Sequence, residues 1–238
     1  MKFRLLAAAG VLCLLVAAVP NVGEAAYPPF EFKLIYWPTS NTVSSSVGSG
    51  NWNTGFIGGD LRWTSSSNWG IHLKYDTGGQ SSWGGILAGT NSGTDTVWSG
   101  DYFHAWQLPL VTLRGFVGYG ETQSNFTVTP FPQATFTSQG VRVGADTAIP
   151  IPNSSFQVNA SFAYYPSNST NFRVGGTTFN SSASAYDWSV GLQYNGQAGW
   201  LIEGGYRQLN ANTGSVFPGV CPCTANWGGP FIDAGYRW

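Results

Sequence analysis

The feature that most constrains this chain is how its few charges are spread along short alternating segments. Over 30 to 37, Phe30, Phe32, Leu34 and Tyr36 alternate with Glu31, Lys33 and Ile35, and over 53 to 63, Ile57, Leu61 and Trp63 alternate with Asp60 and Arg62. A period of two is the mark of a β-strand, whose successive side chains point to opposite faces. The same pattern recurs over 69 to 76, 110 to 120, 139 to 148, 155 to 165, 184 to 194, 198 to 207 and 229 to 238. Segment 101 to 108 is strand-like but ambiguous in register. No stretch carries a helical period. One face of nearly every strand is apolar and the other is ionic or polar.

The connections alternate in length without a break. Their spans are 38 to 52, 64 to 68, 77 to 100, Pro109 alone, 121 to 138, 149 to 154, 166 to 183, 195 to 197 and 208 to 228. A soluble sandwich has no reason to do this, whereas a membrane barrel with short turns at one end and long loops at the other does. The expectation is an all-β, transmembrane, up-and-down antiparallel β-barrel of about ten strands, with eight or twelve if a segment is miscounted.

Composition agrees with that solvent. Only 9% of residues are charged, against roughly 25% in an ordinary soluble domain. The net charge of -1 supplies no basic excess for nucleic acid, and 16% aromatic residues with 11 Trp oppose disorder. After residue 20 no apolar run approaches the roughly 20 residues of a membrane helix. At the start, Lys2 and Arg4 precede an apolar run from Leu5 to Val19 and the small-residue pattern Gly23-Glu24-Ala25. This reads as a Sec signal peptide over 1 to 25, leaving 26 to 238 as one barrel domain exported to the outer membrane. Cys13 follows Leu12 rather than a small residue, which argues against lipidation.

The face assigned to the lumen carries Lys33, Arg62, Lys74, Arg114, Arg142, Arg207 and Arg237 against Glu31, Asp60, Asp76, Asp146, Asp187, Glu203 and Asp233. The signs balance. The lipid face carries none, as the cost of about 2–4 kcal/mol for a basic residue at midplane depth requires. The expectation is an ion network that fills a narrow lumen and holds register, with Asp95, Asp101, Glu121 and Arg173 in or beside the loops. Aromatic rings collect at strand ends: Tyr36, Tyr75, Tyr119, Tyr164 and Tyr206 beside the long loops, Trp63, Trp69, Tyr194, Trp200 and Trp238 beside the short turns or the C-terminus. They read as two girdles at the edges of an apolar band.

The final segment, Gly229-Pro230-Phe231-Ile232-Asp233-Ala234-Gly235-Tyr236-Arg237-Trp238, places apolar or aromatic residues at alternate positions before a terminal aromatic. It resembles the last strand of small bacterial outer-membrane barrels of the opacity-protein and OmpA-like, porin-like kind. The resemblance implies that Ile232, Tyr236 and Trp238 are the signal read by the barrel-assembly machinery. Trp in place of the usual terminal Phe is a departure.

A barrel of ten strands is only slightly wider than the eight-stranded kind, which side chains just fill. Balanced interior charge favours a structural or surface-contact barrel with a narrow, ion-filled lumen; the alternative is a small channel or porin for ions or small solutes, helped by gaps at Gly58, Gly140, Gly144, Gly191 and Gly235. An omptin-like or lipid A-modifying hydrolase is a further alternative, but the only histidines, His72 and His104, form no His-Asp motif of that type: Asp101, three residues before His104, projects from the opposite face. The expectation is therefore no enzyme and no cofactor. Partners are outer-membrane lipid, the assembly machinery, and surface glycans or other extracellular partners through loops rich in Ser, Thr, Asn and Gly, with aromatics Trp83, Trp98, Phe126, Phe131 and Phe136 exposed. Nucleic acid is not among them. Cys221 and Cys223 in the last long loop suit a local disulfide or a weak metal site, and two thiols alone fall short of a zinc signature; no metal is expected.

Overall fold

The computed structural model describes residues 30–45, 48–85, 90–128, 133–174, 176–213 and 223–238. The signal segment, Phe131 and Cys221 lie outside them. The strands are β1 (Phe30–Ser45), β2 (Gly48–Thr64), β3 (Trp69–Gly85), β4 (Thr90–Leu108) and β5 (Val111–Val128), then β6 (Ala134–Pro150), β7 (Phe156–Val174), β8 (Thr177–Asn195), β9 (Trp200–Thr213) and β10 (Cys223–Arg237). Every neighbour is antiparallel and consecutive, and β10 closes on β1, so the sheet is a closed ten-stranded barrel. At the seam the backbones of Phe30 and Trp238 exchange hydrogen bonds of 3.2 and 3.1 Å. Closure leaves no unpaired strand edge, the condition a sheet must meet in lipid.

One end has tight turns. Asn68 and Asn153 take the left-handed conformation there, at φ 64° and 58°, which suits Asn better than most residues because its short polar side chain tolerates that region.

The other end departs from expectation. The segments read as long loops are mostly strand: β1 and β2 run to Ser45 and from Gly48, β3 and β4 to Gly85 and from Thr90, and the later hairpins behave alike. These strands hold 14 to 19 residues, whereas a tilted strand needs only about 9–11 to cross a bilayer. The barrel therefore stands well beyond its apolar band.

Along β1 the transition is sharp. Outward-facing Phe30, Phe32, Leu34 and Tyr36 give way to Ser40, Thr42 and Ser44, while inward-facing Glu31 and Lys33 give way to Ile35 and a fully buried Trp37. In the turn-end half the barrel is apolar outside and ionic inside. In the loop-end half it is polar outside and aromatic inside, with Trp52, Phe56, Trp227 and Tyr165 buried. Trp83 and Phe136, expected on exposed loops, pack inward against this core. Hydroxyl and amide side chains alternating with isolated aromatics lack the hydrophobic period that flags a strand, so the extensions look like loop in the sequence.

Candidate functional site: the lumen

Three layers fill the interior. At the turn end Glu31 is a hub across the seam. Its Oε2 accepts from Arg237 Nη2 at 2.7 Å and from Arg237 Nε at 3.0 Å, and its Oε1 lies 3.4 Å from Arg62 Nη1. Lys33 Nζ donates to Glu203 at 2.7 Å and lies 3.7 Å from Asp233. Arg114 pairs with Asp146 on β5 and β6. Beside these ions lies a feature the sequence reading passed over, a closed ring of four amides. Gln157 donates to Asn159 (2.8 Å), Asn159 to Gln193 (3.0 Å), Gln193 to Asn195 (2.6 Å), and Asn195 back to Gln157 (3.0 Å). Lys33 ties the ring to the ion network through Gln193 at 3.1 Å. The signal for it was a Gln-x-Asn pair on each of two adjacent strands, since a spacing of two puts both amides on one face.

In the middle, Arg207 bridges strands that are far apart around the barrel. It donates to Asp76 at 2.8 Å and to Asp187 at 2.9 and 3.2 Å, and its guanidinium sits 4.4 Å from the centroid of the Trp37 ring. Arg142 lies 3.2 Å from Asp101 and over the rings of Phe116 and Tyr165. His72 Nε2 is 2.8 Å from Asp60, and its Nδ1 is 3.7 Å from Asp101. Lys74 sits in the lumen with these groups but has no carboxylate within ion-pair distance among the described residues.

Above this layer the lumen closes on rings. Trp37 stacks on Phe56 at 4.9 Å, Trp52 meets Trp227 edge-on at 6.1 Å, and Phe136 packs against Trp227 at 6.2 Å. Beyond the apolar band, Asp95 is fully buried and accepts from Trp52 (2.9 Å), Gln80 (2.6 Å), Thr54 and Ser124, with no cation paired to it among the described residues. Burial pushes its carboxyl above the ordinary carboxylate range, and the donated hydrogen bonds pull the other way.

All fourteen charges assigned to the lumen face inward. The four acids and bases expected in or beside the loops all lie on strands: Glu121 and Arg173 face outward on β5 and β7, whereas Asp101 is an interior partner of Arg142 and His72, and Asp95 is the buried acceptor just described. For Asp101 the cause is the ambiguous fourth segment, where odd-numbered residues point inward and Tyr102, His104 and Trp106 on the opposite face had hidden the parity; for Asp95 it is the span 77 to 100, read as a connection, whose later part is strand in β4. His104 lies on the outer wall between Trp69 at 4.3 Å and Trp106 at 4.6 Å. The interior glycines do not leave the gaps expected of them. A Cβ at Gly144 would stand 2.5 Å from the ring of Phe116 and one at Gly191 3.1 Å from that of Phe231, so these sites make room for rings that fill the lumen.

The aromatics assigned to girdles lie outward at both edges of the band: Tyr36, Tyr119, Tyr164 and Tyr206 at one, Trp63, Trp69, Tyr194 and Trp200 at the other. Ile232, Tyr236 and Trp238 form an outward row at the seam, where Trp238 stacks on Phe30 at 5.8 Å and on Tyr236 at 5.9 Å.

One cavity of about 110 Å³ lies on the turn-end side of the aromatic layer, between the ion network and a wall of Gln157, Asn159, Ser161 and Ser189. Trp37, Phe116, Phe231 and Arg207 line its inner end.

No protein-family model and no curated protein matches the sequence. Among solved structures, the chain is similar to the outer membrane protease OmpT of Escherichia coli, with a TM-score of 0.58, 12% identity, and 90% of this chain and 98% of that one covered. It is similar also to the translocator domain of the autotransporter NalP of Neisseria meningitidis, with a TM-score of 0.52, 11% identity, and 99% and 98% covered. Identity this low speaks for architecture alone, and the architecture agrees with the resemblance read at the C-terminal strand: the chain has the fold of an outer-membrane β-barrel.

Proposed function

We propose that the protein is an integral outer-membrane barrel with a closed lumen, serving a structural or surface-contact role rather than conducting solutes or catalysing a reaction. Its turns and termini face the periplasm and its strand extensions stand outside the cell. The observation that carries this reading is the filled cross-section: a layer of mostly paired ions beneath the packed rings of Trp37, Phe56, Trp52 and Trp227, with Trp37, Phe116 and Arg207 lining the cavity. A conducting pore needs a continuous aqueous path, normally lined by one sign of charge, and this interior pairs both signs. Of the two histidines, His104 is wedged between tryptophans on the outer wall, whereas His72, inside the lumen, has Asp60 at 2.8 Å and Asp101 at 3.7 Å beside it, a pairing the sequence did not suggest and the one the activity assay must clear.

Planar-bilayer recording of the purified, refolded protein tests the closed lumen. The expected result is no long-lived conductance step; a reproducible open channel would overturn the reading. Incubation with peptide and lipid A substrates is expected to release no product, and hydrolysis lost in a His72→Ala or His104→Ala variant would restore the enzyme.

A further inference from the structure

Beyond the outer girdle the barrel wall changes character all the way round. On β1 the outward-facing residues are Ser40 and Thr42, on β2 Asn51 and Asn53, on β4 Thr94, on β7 Ser169. Around the whole collar, the outward positions of the described strands hold only Ser, Thr, Asn, Gln, Gly and Pro, and the charges Glu121 and Arg173. Neither an aliphatic nor an aromatic side chain appears among them. The side chains are laid out in rows: Gln123 donates to Asn125 at 3.1 Å, Thr135 donates to Asn125 at 2.9 Å, and Asn226 donates to Thr42 at 3.4 Å.

The geometry says what stands against such a wall. From Tyr36 to Ser45 a strand advances about 30 Å at roughly 3.3 Å per residue, which at a tilt of about 35–45° raises the collar about 20 Å above the girdle. This surface faces sideways and continues the lipid-facing wall directly. Whatever packs against it is carried by the neighbouring lipids in the same membrane, at headgroup height and above. A phosphate layer would call for Arg and Lys, which give the strong charge-assisted contacts to phosphate oxygens, and the collar offers one Arg. Dense uncharged donors and acceptors match uncharged hydroxyl groups instead. We propose that the collar is a lateral contact surface for the neutral saccharide headgroups of the lipids that surround the barrel. The proposal rests on the membrane placement above, and the experiment separates the two.

The protein is refolded into vesicles of phosphatidylcholine alone and into vesicles of equal chain length in which half the lipid carries a neutral digalactosyl headgroup. The midpoint of thermal unfolding is read from the heat-modifiable gel shift. Failure to insert into either vesicle sinks the membrane placement itself. With insertion, the wild type is expected to unfold at a higher temperature in the galactolipid vesicles, whereas free digalactose added to phosphatidylcholine vesicles gives no such rise. Two variants at exposed positions, Ser40→Ala with Thr42→Ala and Asn51→Ala with Asn53→Ala, are each expected to keep the phosphatidylcholine midpoint and lose part of the rise. Equal wild-type midpoints in the two vesicles, a rise that both variants retain in full, or an equal rise with free digalactose overturns the proposal.

Discussion

Removing Arg207 is the sharpest probe of whether the lumen is dry and filled. Its side chain is 5% exposed and holds two carboxylates, Asp76 at 0% and Asp187 at 12%. In Arg207→Met both acids lose the partner that compensates them. Breaking a buried pair by deleting one partner costs about 3–5 kcal/mol, because the remaining charge stays desolvated. Loss of the contact with the Trp37 ring adds about 0.5–2 kcal/mol. The single substitution is therefore expected to destabilise by roughly 4–6 kcal/mol. The triple variant Arg207→Met, Asp76→Asn, Asp187→Asn removes all three charges of this cluster together and should recover most of the loss, since a buried ion cluster is often replaced by neutral groups at little cost. Arg207→Lys should fall between, because one ammonium cannot span both acids with the fork of a guanidinium. The assay is reversible urea unfolding in lipid vesicles, followed by the gel shift between folded and unfolded forms. A cost below about 1 kcal/mol for Arg207→Met would mean that water already solvates Asp76 and Asp187, as it does for exposed pairs, and the filled-lumen argument would fail with it.

Three further outcomes follow from the same geometry. Trp37→Ala combined with Trp227→Ala removes two fully buried rings from the closing layer and should convert a silent bilayer record into one with measurable conductance. Gln193→Leu breaks two bonds of the amide ring and takes an acceptor from Lys33; leaving those groups unsatisfied should cost about 1–3 kcal/mol in urea unfolding. Asp95, its carboxyl raised by burial, binds its proton more tightly folded than unfolded. Its stabilising contribution is thus full below the ordinary carboxylate range and fades as pH rises through the raised value. The loop-end hairpins should accordingly resist limited proteolysis better in acid than at neutral pH, and Asp95→Asn should flatten that difference.

The sequence displayed the turn-end half of this barrel well and the loop-end half poorly, for one physical reason. Where lipid bathes the wall, it forbids charge outside, so Glu31, Lys33, Asp60 and Arg62 stand out against Phe32, Leu34, Ile57 and Leu61, and parity assigns each its face. Above the girdle both faces lose that contrast. Ser40 and Thr42 outside sit beside Thr39 and Asn41 inside, and only a lone Trp37 or Trp52 marks the core. Trp37 shares the parity of Glu31 and Lys33, so its inward aim was present in the pattern, but a Trp at the end of an apolar strand looks like any other girdle ring. Asp101 was hidden similarly, on a strand whose outer face carries Tyr102, His104 and Trp106 and whose inner face carries Phe103 and Ala105. The amide ring needed a contact between two strands, which no single-strand pattern reveals.

The exchange of faces also locates the membrane boundary without reference to any related structure. A wall that is apolar outside and ionic inside is stable only where the outer solvent is hydrocarbon, because in water it would expose its greasiest surface and bury its charges. A wall that is polar outside and aromatic inside is the ordinary arrangement for water, held by removal of apolar area at about 25 cal/mol per Å². On β1 the change falls at the outward ring of Tyr36 beside the inward ring of Trp37; on β4 it falls between outward Trp98 and the interior pairing of Asp101. Both strands place the boundary at the ring of tyrosines and Trp98. The ions beneath that ring gain nothing from the hydrophobic effect across the wall, so the membrane-embedded half must hold its register by the pairs centred on Glu31, Lys33 and Arg207, while the projecting half holds its own by a core of rings.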